Sequence, residues 1–154
     1  MKKLCLLAVV MFIGLTNVFA QKGAKSIGAN IGYSSEIQAL KLGVNFKYHF
    51  SNQFRVVPSF DYSFKKYNTS YWNVNVDANY LYGIGDGIDA YSLSGLTLLG
   101  IKDGSYSDTE FGANIGGGVD FYLTDALDLN VEAKYQILNN WSQLVASIGL
   151  SFRF

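Results

Sequence analysis

Large apolar or aromatic residues alternate with small or polar ones along most of this chain, most regularly between residues 40 and 64. In the first half of that stretch, Leu40, Leu42, Val44, Phe46, Tyr48 and Phe50 are interleaved with Lys41, Gly43, Asn45, Lys47 and His49. A short polar segment, 51–53, separates it from a second alternating run, 54–64. Because successive side chains of a β-strand point to opposite faces, a period of two predicts two strands with unlike faces, joined as a hairpin.

Six further segments show the same alternation, which brings the predicted number of strands to eight. They are 26–35, 72–82, 90–101, 111–123, 127–137 and 144–154. In segment 90–101 the run 96–99 interrupts the alternation, so we expect a bulge near Gly95 that switches the faces there. Eight strands of about 10 residues fill the chain after residue 20, and an even number allows closure by antiparallel hairpins. The sequence therefore predicts an all-β fold, an eight-stranded antiparallel up-and-down barrel.

The two faces differ in side-chain volume, and this difference predicts which of them lies inside. Phe, Tyr, Leu and Ile dominate one face, whereas the other carries Asn, Ser, charged residues and these glycines: Gly28, Gly32, Gly43, Gly112, Gly116, Gly118 and Gly149. The interior of an eight-stranded barrel is only just wide enough for side chains, so the glycine-rich face belongs inside. The bulky face then contacts lipid, which makes this a transmembrane β-barrel.

The polar face predicts a lumen whose charges nearly cancel. Besides His49, it receives six cationic and five anionic side chains, which are Lys41, Lys47, Arg55, Lys65, Lys134, Arg153, Asp61, Asp77, Asp120, Asp128 and Glu132. A turn centred at residue 52 would set His49 opposite Arg55. A last turn centred between residues 140 and 141 would set Asp128 opposite Arg153. Balanced charges in a narrow barrel should pair and fill it, whereas a selective pore would show an excess of one sign.

The N-terminal residues predict a cleaved secretory signal peptide. Lys2 and Lys3 precede the apolar run 4–15, and the small residue Ala20 follows. This run of 12 residues is shorter than the roughly 20 that a membrane-spanning helix needs. We therefore assign 1–20 to the signal peptide and 21–154 to a single barrel domain.

Composition excludes several functions for the mature chain. The only cysteine, Cys5, lies within the predicted signal peptide, so the mature chain holds no disulfide and no cysteine metal site. Without Lys2 and Lys3, 10 basic residues remain against 12 acidic ones. Nothing in that balance indicates nucleic-acid binding.

Aromatic residues gather near the predicted strand ends. The candidates for the two membrane interfaces are Tyr33, Phe50, Phe54, Phe64, Trp72, Tyr82, Phe121 and Trp141. Paired aromatic girdles are typical of outer-membrane barrels. Since eight strands return the chain to its starting side, both termini should lie in the periplasm. The exterior loops would then be the short segments 36–39, 66–71, 102–109 and 139–142.

The signal peptide, the eight alternating strands and the ending SIGLSFRF (147–154) resemble the family of small, porin-like outer-membrane β-barrel proteins. The resemblance implies a location in the outer membrane of a bacterium with two membranes, in contact with its lipid. It also implies that Phe152 and Phe154, in an amphipathic last strand, form the signal read by the barrel-assembly machinery. The exterior loops are short for this family, which argues against a role that requires long protruding strands. Members of the family have many different functions, so fold alone does not settle function.

Few residues suggest catalysis or metal binding. Lipid A deacylases and palmitoyltransferases, two enzyme types built on eight-stranded barrels, need a histidine with serine and an acidic residue near the outer leaflet. The single histidine, His49, falls at the periplasmic rim beside Ser51, which is the wrong side for lipid A. Asp103, Asp108 and Glu110 crowd one exterior loop and could hold a divalent cation, but a solvated loop is the simpler interpretation.

These observations predict a non-enzymatic outer-membrane barrel with a polar, largely plugged lumen and no cofactor or metal. Its short exterior loops would serve envelope integrity or surface interaction, with an exterior partner that the sequence does not identify. The main competing hypothesis is a small porin or transport channel. A lipid-modifying enzyme and a soluble periplasmic barrel are the third and fourth hypotheses.

Overall fold

The computed structural model describes residues 2–3, 24–36, 38–51, 53–64 and 69–154. Apart from Lys2 and Lys3, the predicted signal peptide lies outside the described residues, and so does Lys65. Within these ranges, no helix has the length and hydrophobicity of a membrane-spanning helix.

Eight antiparallel strands form one closed barrel. They are β1 (Lys25–Ser34), β2 (Ala39–His49), β3 (Phe54–Ser63), β4 (Thr69–Gly85), β5 (Ile88–Asp103), β6 (Tyr106–Tyr122), β7 (Leu127–Leu138) and β8 (Ser142–Arg153). Each strand pairs with its neighbours in sequence, and β1 pairs with β8 to close the sheet. The predicted fold is confirmed. Closure satisfies backbone hydrogen bonds within the sheet, as a hydrocarbon environment requires.

Buried and exposed residues alternate along the strands, and most of the buried residues are polar. In β4, Asn73, Asn75 and Asp77 are buried, whereas the intervening Val74 and Val76 are exposed. A soluble protein of this size would bury its valines and expose its carboxylates. The facing predicted from side-chain volume is therefore confirmed.

Glycines on the inner face make room for large neighbours. A Cβ atom at Gly43 would collide with the Asp61 side chain, and one at Gly118 would lie 2.5 Å from the Tyr91 hydroxyl. Side chains from neighbouring strands occupy the space that a Cβ atom would fill at these glycines. Small residues beside large ones therefore let a narrow lumen accommodate its charged and aromatic side chains.

The predicted bulge near Gly95 is absent. From Ala90 to Asp103, β5 pairs residue by residue with β4 and β6, and the register shift lies instead in β4, between Gly83 and Gly85. Leu93 and Leu99 consequently face the lumen, where both are buried. The pattern predicted a bulge because leucine was assigned to the outer face. Leucine also lies on the inner face where other apolar side chains pack against it. Leu93, for example, packs with Leu81 and Tyr91.

Three strands are much longer than predicted. β4, β5 and β6 contain 17, 16 and 17 residues. Segment 102–109 is therefore not a loop, because only Gly104 and Ser105 separate β5 from β6. Gly104 has a φ of 58°, which fits the first central position of a type II′ hairpin turn. We call residues 99–111, the end of this hairpin, the β5–β6 extension.

One of the two register predictions is confirmed and the other is wrong. His49 pairs with Arg55, as predicted. Asp128 pairs with Ser151 and not with Arg153. The last hairpin turns at Asn139 and Asn140, because the Leu138 amide donates to the Trp141 carbonyl at 2.9 Å. A turn centred one residue earlier than expected shifts all cross-strand partners by two.

Candidate functional site

Buried ion pairs cross the middle of the barrel. We call the end of the barrel at which β1 begins and β8 ends the terminal end. In mid-lumen, the Lys41 Nζ lies 3.1 Å from Asp61 Oδ2. The Lys134 Nζ lies 3.0 Å from Asp77 Oδ2 and 3.9 Å from Glu132 Oε1. Because four of these five side chains are almost fully buried, breaking one pair would leave an uncompensated charge.

A second charge cluster lies nearer the terminal end. Arg55 donates a hydrogen bond to Asp120. The Lys47 Nζ lies between two carboxylates, 3.2 Å from Asp128 Oδ2 and 3.6 Å from Asp120 Oδ1. The guanidinium of Arg55 also stacks over the Tyr91 ring, with 4.5 Å between the Cζ atom and the ring centroid. Together with the mid-lumen pairs, these contacts form what we call the lumen network.

Tyr91 links this cluster to the rest of the lumen. Its hydroxyl donates to Glu132 Oε2 at 2.6 Å and accepts from Asn130 Nδ2 at 2.8 Å. The same Asn130 amide donates to Asp120 Oδ1 at 2.7 Å. A single aromatic side chain from β5 therefore connects charged groups on β3, β6 and β7.

Neutral amides fill the lumen between the ion pairs and the end opposite the terminal end. Asn114 donates to Asp77 at 2.7 Å, Gln143 to Gln136 at 2.7 Å, and Gln136 to Asn75 at 3.2 Å. The sequence placed asparagine on the inner face but singled out only ionisable groups there, so the part that these amides play in filling the lumen was not predicted. Their positions on the glycine-bearing face were the available signal.

Two predicted luminal residues lie apart from the ion pairs. The ring of His49 is half-buried, with Nδ1 3.2 Å from the Ala24 carbonyl oxygen. Arg153 stacks over Tyr122, with 4.9 Å between its Cζ and the ring centroid. Both residues lie at the terminal end of the barrel.

One cavity among the luminal side chains is small. A cavity of about 30 Å³ is lined mainly by polar and charged side chains, among them Lys41, Lys47 and Asp61. A water molecule needs about 10–15 Å³ of such space, so this cavity accommodates two or three waters.

Apart from Trp141, which precedes β8, the predicted interfacial aromatics lie at outward-facing positions of the strands. Tyr33, Phe50, Phe54, Phe64 and Tyr82 are each about half exposed. Trp72, Phe121 and Trp141 are more covered. Trp72 lies against Gly100 on the neighbouring strand, where an added Cβ would collide with its indole ring. An aromatic ring over a cross-strand glycine shields backbone that would otherwise face the surroundings.

The last strand ends against the first. Phe152 is exposed on the outer face, and the Phe154 amide donates to the Lys25 carbonyl at 3.0 Å. The closing residues of the chain therefore complete the β1–β8 seam at the terminal end.

The acidic residues of the β5–β6 extension do not converge. Asp103 and Asp108 are exposed, whereas Glu110 is buried. Among the described residues, no group of three or more His, Cys, Asp or Glu side chains could hold a metal ion.

Comparison with solved structures shows the same fold in several outer-membrane proteins. The N-terminal β-barrel domain of OprF from Pseudomonas aeruginosa is similar, with a TM-score of 0.76 and 21% identity, over 87% of this chain and 99% of that one. Neisserial surface protein A gives a TM-score of 0.67 and 15% identity, over 85% and 96%. Ail, the attachment invasion locus protein of Yersinia pestis, gives a TM-score of 0.60 and 18% identity, over 86% and 99%. Identities this low show the fold alone.

No curated protein matches the sequence. The family described as "Outer membrane protein beta-barrel domain" matches residues 9–154, which is nearly the whole chain. With its closed eight-stranded barrel and its apolar outer face, the chain therefore belongs to the family of outer-membrane β-barrel proteins and resides in the lipid of the outer membrane.

Proposed function

We propose that this protein is a non-enzymatic barrel with a plugged lumen, which serves surface interaction or envelope integrity through its exterior end. The observation that carries the proposal is the lumen network. Its four buried cations, Lys41, Lys47, Arg55 and Lys134, each lie within 4 Å of a carboxylate. An ion entering the barrel would have to displace these paired side chains, at a cost of several kcal/mol for each pair.

We infer the orientation of the barrel from its even number of strands together with a periplasmic N-terminus. The chain enters and leaves at the terminal end, so a periplasmic N-terminus places Phe154 in the periplasm as well. Phe152 and Phe154, at the β1–β8 seam, would there be available to the barrel-assembly machinery. The opposite end, which carries the β5–β6 extension, would then face the exterior.

The surroundings of His49 support a non-enzymatic role. Its Nδ1 lies 3.2 Å from a backbone carbonyl oxygen, that of Ala24. The nearby Ser51 hydroxyl instead accepts hydrogen bonds from the amides of Gln53 and Phe54, at 3.3 and 3.0 Å. Ser51 therefore caps a turn, and His49 is not arranged to activate it as a nucleophile.

Single-channel recording in a planar bilayer tests the plugged lumen. We expect no steady conductance from the wild-type protein. The double variant Arg55→Ala/Tyr91→Ala removes two side chains that cross the lumen, so we expect it to conduct. Lys102→Ala, which changes an exposed residue of the β5–β6 extension, is the matched control and should remain closed. Stable ohmic conductance from the wild-type protein would overturn the proposal and favour a small porin or transport channel.

A further inference from the structure

Three buried oxygen atoms around one luminal cavity have no hydrogen-bond donor among the described residues. They are Asp61 Oδ1, Asn30 Oδ1 and Asn45 Oδ1. All three residues line the cavity of about 30 Å³ that lies among the ion pairs. A buried acceptor without a donor is unfavourable, so three of them around one cavity indicate a bound group that satisfies them.

Two of these oxygens converge over the backbone of Gly43. Asp61 Oδ1 and Asn30 Oδ1 both lie within 3.0 Å of the position that a Cβ atom would take at Gly43. Gly43 pairs with Asn30 on β1 and with Asp61 on β3, so the two side chains approach it from opposite sides. Asn45 is the next inward-facing residue of β2, and its Oδ1 lies 2.8 Å from the corresponding position at Gly28. Strands β1, β2 and β3 therefore each direct one of the three oxygens toward the cavity.

The charges of the lumen network favour a cation at this cavity. Four cationic side chains of the network face five carboxylates, and these groups are Lys41, Lys47, Arg55, Lys134, Asp61, Asp77, Asp120, Asp128 and Glu132. Within the network, one negative charge is therefore in excess. An anion in the cavity would increase that excess and would also face the three oxygens that already lack donors. A cation would relieve both.

The available oxygens indicate the class of cation. Carboxylate and amide oxygens are ligands that hard cations prefer. Asp61 Oδ2 accepts from Lys41 and from Asn75, each at 3.1 Å, which leaves only its Oδ1 for an ion. One carboxylate oxygen and a single excess charge suit a monovalent ion better than Ca²⁺ or Mg²⁺. The hydroxyls of Ser59 and Ser147 line the same cavity and can complete the coordination.

We propose that the lumen holds one Na⁺ ion, coordinated by Asp61 Oδ1, Asn30 Oδ1 and Asn45 Oδ1. A cavity with room for two or three waters accommodates one such ion and a water ligand. The Lys41 ammonium contacts the other oxygen of Asp61, so the carboxylate bridges the two cations. The ion would neutralise the lumen network and join β1, β2 and β3 from inside. This inference goes beyond the proposed function and does not depend on which end of the barrel faces the exterior.

Water is the main alternative to a cation. Water molecules in the cavity could donate to all three oxygens, and rotation of the Asn30 amide would let its Nδ2 donate to Asp61. Neither change alters the net charge of the lumen network. Neither therefore predicts that the stability of the barrel depends on which cation is in solution.

Unfolding of the mature protein in two salts tests the proposal. The protein is held in vesicles of zwitterionic phosphatidylcholine, and its urea unfolding is followed by tryptophan fluorescence in sodium chloride and in N-methylglucamine chloride at the same concentration. Both salts screen surface charges equally, but the organic cation is too large for the cavity. We expect the equilibrium constant for folding of the wild-type protein to be about tenfold higher in sodium chloride, as for a ligand present at about ten times its Kd.

Matched variants locate the effect of sodium. Asn30→Leu and Asn45→Leu each replace an amide at the cavity by an apolar group of similar size, so the difference between the two salts should disappear. Asn73→Leu makes the same change elsewhere in the lumen, where Asn73 bonds to Gln136 and Thr97, and it should keep the difference. Each variant is compared with itself in the two salts, so a general loss of stability does not affect the result.

Three outcomes would overturn the sodium site. Equal stability of the wild-type protein in the two salts would assign the three oxygens to water or to a rotated amide. A difference that persists in both Asn30→Leu and Asn45→Leu would place the sodium effect elsewhere on the protein. A difference that is also lost in Asn73→Leu would mean that sodium acts on the lumen as a whole and not at this cavity.

Discussion

At the scale of single residues, the two carboxylates beside Lys47 have unequal roles. Asp120 accepts from Arg55 and from Asn130 and also lies near Lys47. Among the described cations, Asp128 forms an ion pair only with Lys47. If Asp128 is removed, Lys47 is still paired with Asp120. The loss of Asp120 should therefore cost much more than the loss of Asp128.

We predict that Asp120→Ala lowers the free energy of unfolding by about 3–5 kcal/mol, because it leaves Arg55 buried without a carboxylate. Asp128→Ala should cost clearly less. Urea unfolding of the protein in phospholipid vesicles, followed by tryptophan fluorescence, measures both values. Asp86→Ala, in the exposed turn after β4, is the control and should change stability by less than about 0.5 kcal/mol. Equal effects of Asp120→Ala and Asp128→Ala would contradict the assignment.

A glycine substitution tests how tightly the lumen is filled. In Gly43→Ala the new Cβ would displace the Asp61 side chain, which is held by Lys41 and by Asn75, each at 3.1 Å. We predict a loss of about 1–3 kcal/mol in the same unfolding assay, as for other overpacked interiors. Gly85→Ala is the control, since no atom lies within 4 Å of its added Cβ. A neutral Gly43→Ala variant would mean that the lumen is looser than the network implies.

At the scale of strands, the hydrophobic pattern gave the number and facing of the elements but not their lengths. β4, β5 and β6 extend beyond the alternating segments. They include polar residues, such as 102–109, that were predicted to form a loop. Those segments are strand because β5 and β6 pair with each other up to Asp103 and Tyr106. The alternation of apolar and polar residues reflects the burial of one face of a strand. Where neither face is buried, two strands remain paired although their residues do not alternate.

The last strand provides a prediction on assembly. Deletion of Phe154 should lower the yield of folded barrel in the outer membrane more than His49→Ala does. Phe154 belongs to the β1–β8 seam and to the expected assembly signal, whereas the His49 ring lies at hydrogen-bond distance from a backbone carbonyl and takes part in no ion pair of the lumen network. The yield of folded protein in isolated outer membranes measures the effect. Equal yields from the two variants would argue against an assembly role for the last residue.

At the scale of the whole molecule, closure should make the barrel resistant to detergent. Every strand has two partner strands, so SDS finds few unpaired backbone groups through which to begin unfolding. We predict that the unheated protein migrates differently from the boiled protein on an SDS gel. Identical mobility before and after heating would contradict a stably closed barrel.

The amino-acid sequence alone was sufficient for the eight-stranded barrel, for the polar inner face and for the apolar outer face. These features depend on a period of two and on side-chain volume, both of which are local properties of the chain. Leu93 and Leu99 mark the limit of that reasoning. An apolar side chain on the inner face interrupts the alternation in the sequence, and the sequence alone does not distinguish this from a bulge.

The ion-pair partners, the register of β7 with β8 and the lengths of β4, β5 and β6 required the folded barrel. Lys47 meets Asp128 across 81 residues of sequence, and Lys134 meets Asp77 across 57. Such partners are selected by the stagger of all eight strands around the barrel, and a turn centred one residue earlier changes every cross-strand pair by two. No short segment of the chain contains that information, because the position of each side chain in the lumen depends on how the whole sheet closes.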